Sequence, residues 1–329
     1  MEVNFNYEQE QTIVKHTSRG KFRFSAIVAL AILVFGLLLF GLAVEVVSLP
    51  PTPVSFFQDF DQSCSPGAVN VSEVKYHSDH EYYSVLKSSP LRHPPIFTGH
   101  HKFLCGGRNL KRNKQHTFSY CLPISGQKDA EFCAGADRLD LLKIKVPGTI
   151  CHASVLHMLL VEVYEELQAA GRNPLIAYGS LLGAVREEGI IPFTEDADIA
   201  YSGKLLVHDQ LQIALWRKGY HLFFKNVWRV CVAPTHPLAA ILFDPSLPIT
   251  KNYAVPYLDL YAMSRKTHSD EWKMQEMNHV NGSDTLPDDK IRPFSQVVIN
   301  GQQFNTVHDP EYVLKRMYGD DYWIPKPKQ

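Results

Sequence analysis

The 329-residue sequence predicts an α/β or α+β domain, a mixed sheet flanked by helices, behind an N-terminal transmembrane helix. Two patterns carry this expectation. From about residue 145 onward, segments with helical spacing alternate with short β-prone segments. Ahead of them, residues 24–44 hold 21 consecutive positions without a charge. At about 1.5 Å of rise per residue, that run is long enough to cross a bilayer core of roughly 30 Å.

The N-terminal elements follow from charge and composition. Lys15, Arg19, Lys21 and Arg23 precede the apolar run and Glu45, Asp59 and Asp61 follow it, which places residues 1–23 in the cytosol as a tail and the rest in the lumen. A cleavable signal peptide, with Gly41 and Ala43 as its small residues, fits less well: the run exceeds the usual span of about 7–15 residues and sits behind a long leader. The expectation is therefore a single-pass type II membrane protein of the Golgi or endoplasmic reticulum. Two sequons, at Asn70 and Asn281, agree with that orientation as glycosylation sites. Six cysteines in an oxidising compartment predict disulfides, with the pairing left open. No CxxC pair is present to suggest a zinc ribbon, and His93, His100, His101 and Cys105 read as loop residues rather than metal ligands.

Residues 45–145 form the predicted lumenal stem, proline-rich at "SLPPTPVSFF", and an irregular cysteine-containing region. The basic run 108–114 in that region reads as a solvated loop. With 33 basic and 34 acidic residues and a net charge of −1, the chain has no global attraction to nucleic acid.

Residues 146–329 form the predicted catalytic domain. Val155, Leu156, Leu159, Leu160, Val163 and Leu167 recur with helical spacing, Glu162, Glu165 and Glu166 lie largely off that stripe, and Gly171 suits the stop, so an amphipathic helix is expected. A short strand at 174–178 then turns at Gly179-Ser180 into a helix that runs to Arg186, followed by a strand at 196–201. A helix ending at Gly219 comes next, then strands at 220–224, 227–233, 239–243 and 257–263. Asn300-Gly301 between β-prone residues predicts a tight hairpin. Asp309-Pro310 and Gly319 suit the start and stop of a last helix.

The acidic stretch carries the chemistry. Glu195, Asp196 and Asp198 crowd three carboxylates into four positions, which calls for positive charge among them. Along a strand Asp196 and Asp198 share one face, and oxygen ligands so placed suit Mg²⁺ or Mn²⁺. Asp259, on a strand face with Tyr257 and Tyr261, supplies a third carboxylate if the two strands are neighbours. Gly179 and Ser180 offer backbone N–H groups at a helix start for phosphate oxygens, and Arg186 would clamp phosphate or brace the acidic strand. These parts together indicate phosphoryl transfer.

The stretch "GSLLGAVREEGIIPFTEDADIAY", residues 179–201, resembles the signature of the LicD family, which includes the phosphorylcholine transferases of bacterial surface glycans and the fukutin and fukutin-related proteins of animals. Gly179, Ser180, Leu181, Leu182, Gly183, Ala184, Arg186, Ile191, Pro192, Asp196 and Asp198 carry the match. Phe193-Thr194-Glu195 stand where the family usually has Trp-Asp-Asp. The resemblance implies a nucleotidyltransferase-like fold and metal-dependent transfer of a phosphorylated alcohol, such as ribitol phosphate or phosphocholine. The implied donor is CDP-linked, and the implied acceptor is a glycan hydroxyl on a glycoprotein or glycolipid. It implies Asp196, Asp198 and Asp259 as metal ligands and catalytic residues, with Asp259 either a third ligand or the base, and Gly179, Ser180 and Arg186 as the phosphate shell. Two other readings exist. A DxD glycosyltransferase leaves the Gly-Ser helix without a role, and a catalytically silent lumenal membrane glycoprotein that binds a glycan or partner is kept open by Thr194.

Overall fold

A computed structural model describes residues 63–77, 80–89, 93–106, 108–109, 116–117, 120–143, 149–207, 209–250, 255–277 and 285–325, together with Phe35. The expected cytosolic tail, the transmembrane segment apart from Phe35, and Asn281 lie outside the described residues. Among the described residues, no helix is long and apolar enough to cross a membrane.

Among its described residues, the segment ahead of the acidic motif contains helix α1 (His80–Ser88), three short 3₁₀ turns, and the small ladder of β1 (Arg108–Asn109) with β2 (His116–Thr117). It packs into the main core through Tyr82, Tyr83, Phe97, Leu104 and Leu122, and Phe60–Gln329 cluster as one compact unit. Three disulfides pin this segment: Cys64–Cys105, Cys121–Cys231 and Cys133–Cys151. Cys121–Cys231 closes a separation of 110 residues. In the chain-entropy picture a loop of that size stabilises the fold by about 4–5 kcal/mol.

Helix α2 (His152–Ala169) is buried around its circumference from His152 to Leu167, so the expected amphipathic helix is a central one. It contacts the sheet on one side and the 3₁₀ turn Arg138–Leu142 on another, which leaves no solvent face for its glutamates. Gly171, at φ +68°, closes it as expected. After it come β3 (Leu175–Ile176), α3 (Tyr178–Glu187), β4 (Asp196–Ser202), α4 (Gln210–Arg217), β5 (Tyr220–Lys225) and β6 (Val227–Val232).

Residues 239–243, expected as a strand, instead form the one-turn helix α5 (Ala239–Leu242), entered through the His236–Leu238 turn. A short apolar run has no period long enough to separate buried strand from buried helix, and Ala and Leu favour the helix. The chain continues as β7 (Tyr257–Arg265), β8 (Glu271–Met274), β9 (Thr285–Pro287), α6 (Asp288–Ile291), β10 (Ser295–Ile299), β11 (Gln302–Thr306) and α7 (Pro310–Tyr318). Asn300 and Gly301 both take positive φ, 48° and 76°, and turn β10 into β11 as the Asn-Gly pair predicts. Asp309 caps α7 through Tyr312 N–H, with Pro310 at its start.

The main sheet has the order β3-β4-β7-β6-β5, with β8 and β9 extending from β7. It is mixed: β4 and β7 run parallel, while the other pairs are antiparallel. The parallel pair places Asp198 directly beside Asp259 in register. One face of β7 buries Leu258 and Leu260 completely. The alternation therefore sends Tyr257, Asp259 and Tyr261 to the opposite face.

Candidate active site

Three carboxylates meet on that face. Asp196 and Asp198 share the same side of β4, and one oxygen from each of Asp196, Asp198 and Asp259 can be chosen so that all lie within 4.8 Å of one another. Asp198 and Asp259 are buried, at 5% and 4% exposure. Burial, then the neighbouring Asp196 and Asp259, pushes the Asp198 carboxyl well above the usual carboxylate range. Burial also raises Asp259, to about 6, against the downward pull of Arg229. Burial first, and repulsion between the acids after it, thus disfavour the ionised forms of these two carboxyls.

The motif helix is built around Asp198. Ala177 is extended and Tyr178 takes φ +48°, so α3 starts sharply beside β4. A Cβ on Gly179 would stand 3.1 Å from Asp198 Oδ2, which is why a side chain there would crowd the carboxylate. Ser180 N–H donates to that oxygen at 3.3 Å, and Asp198 N–H donates to Ser180 Oγ at 2.7 Å. The positive end of α3 therefore faces Asp198. At Gly183, a Cβ would meet Gly189 O at 2.5 Å, so the helix rests on the loop that leads into the acidic strand.

Other side chains order the remaining oxygens. Tyr261 OH lies 3.2 Å from Asp198 Oδ1 and 3.3 Å from Asp259 Oδ2, donating to either. Thr194 Oγ1 donates to Asp196 Oδ1 at 3.0 Å. Arg229, opposite Asp259 in the β6–β7 ladder, donates from Nε to Oδ1 at 2.7 Å and from Nη2 to Oδ2 at 3.4 Å. Its guanidinium also lies over the Tyr257 ring, 4.7 Å from the centroid.

Asp196, Asp198 and Asp259 thus come together as the alternation of side chains requires, and Gly179 and Ser180 lie beside them. In this structure, however, Ser180 serves Asp198 rather than an open phosphate cradle. Arg186 is placed elsewhere: its Nη2 donates to Tyr322 O and to Ile324 O, the latter at 3.3 Å, which ties the C-terminal segment to α3 instead of clamping phosphate or bracing the acidic strand. Glu195 pairs with Lys128 from the segment ahead of the motif. Asn70 is exposed and caps a 3₁₀ turn, with its side-chain oxygen accepting from Ser72 N–H. Sequence reasoning missed Arg229 and the bridging role of Tyr261. Tyr261 had a signal in its strand parity, whereas Arg229 had none, because its place depends on which strand lies beside β7.

Residues 174–306 match the family described as LicD/FKTN/FKRP, nucleotidyltransferase domain. This stretch is a LicD domain. Similar curated proteins include the uncharacterized protein RP689 of Rickettsia prowazekii and the uncharacterized protein RT0683 of Rickettsia typhi, each 32% identical over 77 residues. Those residues are 23% of this chain and span 29% and 25% of the two relatives, respectively. The acidic strand, the motif helix and Asp259 all fall inside the LicD domain, and so does Arg229. Its donor set is all oxygen, which fits a hard divalent ion, and its two buried carboxylates gain from a compensating charge.

Proposed function

We propose that this chain transfers a phosphorylated alcohol, such as ribitol phosphate or phosphocholine, from a CDP-linked donor to a glycan hydroxyl on a glycoprotein or glycolipid, with Mg²⁺ or Mn²⁺. The observation that carries the proposal is the convergence of Asp196, Asp198 and Asp259 within 4.8 Å at the start of the LicD motif helix. The work takes place in the lumen of the Golgi or endoplasmic reticulum, with residues 24–44 as the membrane anchor. Three disulfides with no free cysteine among the described residues support an oxidising compartment.

In the reaction, the acceptor oxygen forms a bond to the phosphorus that carries the alcohol. The bridging P–O bond to the CMP phosphate breaks, and CMP leaves with the electron pair. The acceptor proton passes to water, or to Asp259 where that carboxylate serves as the base instead of as a third metal ligand. Asp196, Asp198 and Asp259 would hold the divalent ion, which when bound neutralises diphosphate charge. Tyr261 and Thr194 fix the orientation of those carboxylates, and Ser180 fixes Asp198.

The Arg229–Asp259 pair supports a second reading, a catalytically silent glycoprotein whose acidic site is closed by its own cation. One assay separates the two. The solubilised full chain is incubated with CDP-ribitol, CDP-choline, CDP-glycerol or UDP-sugars and candidate glycans, with and without Mn²⁺. Metal-dependent CMP release, lost in a folded Asp196→Ala variant, is the expected result. UDP release alone means sugar transfer, and donor binding without turnover establishes the silent reading.

A further inference from the structure

Arg229 sets a guanidinium against Asp259, one of the three clustered carboxylates. It faces Asp259 across the β6–β7 ladder, with Nε 2.7 Å from one oxygen and Nη2 3.4 Å from the other. Its side chain remains 17% exposed while Asp259 is nearly enclosed at 5%, so the guanidinium lies on the solvent side of the carboxylate. The Tyr257 ring lies beneath it and adds a cation–π contact that does not depend on Asp259. Asp259 also has a second donor in Tyr261 OH, 3.3 Å from Oδ2, and so stays oriented if Arg229 turns away. A guanidinium matches carboxylate and phosphate oxygens with the same planar fork.

We propose that Arg229 is an internal counter-ion that neutralises Asp259 until a divalent cation takes that carboxylate, and then turns to the anionic phosphate of the bound substrate. The second half rests on the phosphotransfer reading above. The first half rests only on the shared use of Asp259 by a guanidinium and a metal. Arg229 is a positioning residue in the metal-free protein and a binding residue once substrate is present.

The experiment measures Mn²⁺ affinity by titration calorimetry on chelator-stripped full chain, wild type against Arg229→Met and Arg229→Lys, then titrates CDP and inorganic pyrophosphate at saturating Mn²⁺. Removing a competitor for Asp259 is expected to tighten Mn²⁺ binding in Arg229→Met by roughly 3- to 10-fold. Loss of a charge-assisted hydrogen bond is expected to weaken CDP and pyrophosphate binding by about tenfold. Arg229→Lys keeps the charge without the fork, so its Mn²⁺ affinity should stay near wild type while its CDP affinity falls. In the wild type, the side-chain Nε resonance of isotope-labelled Arg229 should move on Mg²⁺ addition and again on CDP addition, a readout that survives if Arg229→Met does not fold. Unchanged or weaker Mn²⁺ binding in folded Arg229→Met, or a resonance indifferent to Mg²⁺, overturns the proposal. Wild-type protein that binds Mn²⁺ and pyrophosphate but not CDP sinks the CDP donor while upholding the role of Arg229.

Discussion

Among the described residues, two clusters of buried carboxylates stand out, and they are neutralised in different ways. At the C-terminal end of α4, Lys218 is 3% exposed and holds Glu162 at 2.8 Å and Glu166 at 2.7 Å, both on α2. Tyr83 OH donates to Glu162 at 2.5 Å, His77 lies 3.1 Å from Glu166, and the Tyr76 ring closes over the ammonium at 4.9 Å. Burial pulls Lys218 down, and the two glutamates outweigh it and raise its pKa. Burial raises Glu162 in turn, but the short contacts from Lys218 and Tyr83 favour the ionised network. On the sheet face, Arg229 pairs with Asp259 while neutral donors meet Asp198 and Asp196, and the two buried aspartates have raised pKa values. On α2 the chain encloses a matching cation; on the sheet face Arg229 meets one of the three acids and neutral donors meet the others.

Charge-removing substitutions should therefore act oppositely in the two clusters. The largest effect is expected for Asp198→Asn, which should cut CMP release by about a thousandfold or more. In chelator its melting temperature should equal or exceed wild type, because the amide stands in for a carboxyl whose ionised form is disfavoured by burial and by its acidic neighbours. A clear fall in metal-free stability would mean that Asp198 is a structural ion-pair member. Next in size, Lys218→Met should cost about 3–5 kcal/mol in urea unfolding, since it leaves two buried glutamates without their cation. Turnover per folded molecule should be unchanged, and stability within about 0.5 kcal/mol of wild type would refute the structural role.

A pH titration sharpens the contrast further. Asp259 has a folded pKa of about 6, above the ordinary carboxylate value of 3.8. Between those values the folded state binds more protons than the unfolded state, so metal-free stability should fall as pH rises from about 4 to about 6. Asp198, raised in the same direction, adds to the slope. Thermal unfolding across that range in chelator checks the sign, and Asp259→Asn should flatten the curve. Mn²⁺ should restore most of the lost stability at the upper end, because binding it favours the ionised carboxylates.

The same comparison explains what could be read before the structure. Side-chain parity in a strand is local, so the shared face of Asp196 with Asp198, and of Asp259 with Tyr261, was legible from spacing alone. Turn chemistry at Asn300-Gly301 and capping at Asp309-Pro310 were legible for the same reason. The partners were not. Lys218 meets Glu162 across 56 residues and Arg229 meets Asp259 across 30, and each contact depends on packing or strand order that no local period records. Arg186 shows the limit from the other side. Its motif position pointed to phosphate, while the carbonyls that claim it belong to Tyr322 and Ile324, far along the chain. The central burial of α2 escaped notice because its glutamates, read as a solvent face, are buried beneath the segment ahead of the motif.

Thr194 offers the finest test, because it replaces a charge with a hydroxyl inside the acid cluster. Its Oγ1 lies 3.0 Å from Asp196 Oδ1 and 3.2 Å from Asp196 O, so the side chain holds the first aspartate of the motif without adding to its repulsion. Thr194→Val keeps the shape and removes the donor. Losing one hydrogen bond to a carboxylate should weaken Mn²⁺ binding by roughly 3- to 10-fold while leaving the fold intact. Thr194→Asp should instead tighten Mn²⁺ binding and lower metal-free stability, since a further carboxylate raises both the attraction for a cation and the repulsion without one. Calorimetry on both variants decides the matter. If Val and Asp both leave Mn²⁺ affinity unchanged, Asp196 does not take part in holding the ion, and the site reduces to the parallel-strand pair of Asp198 and Asp259.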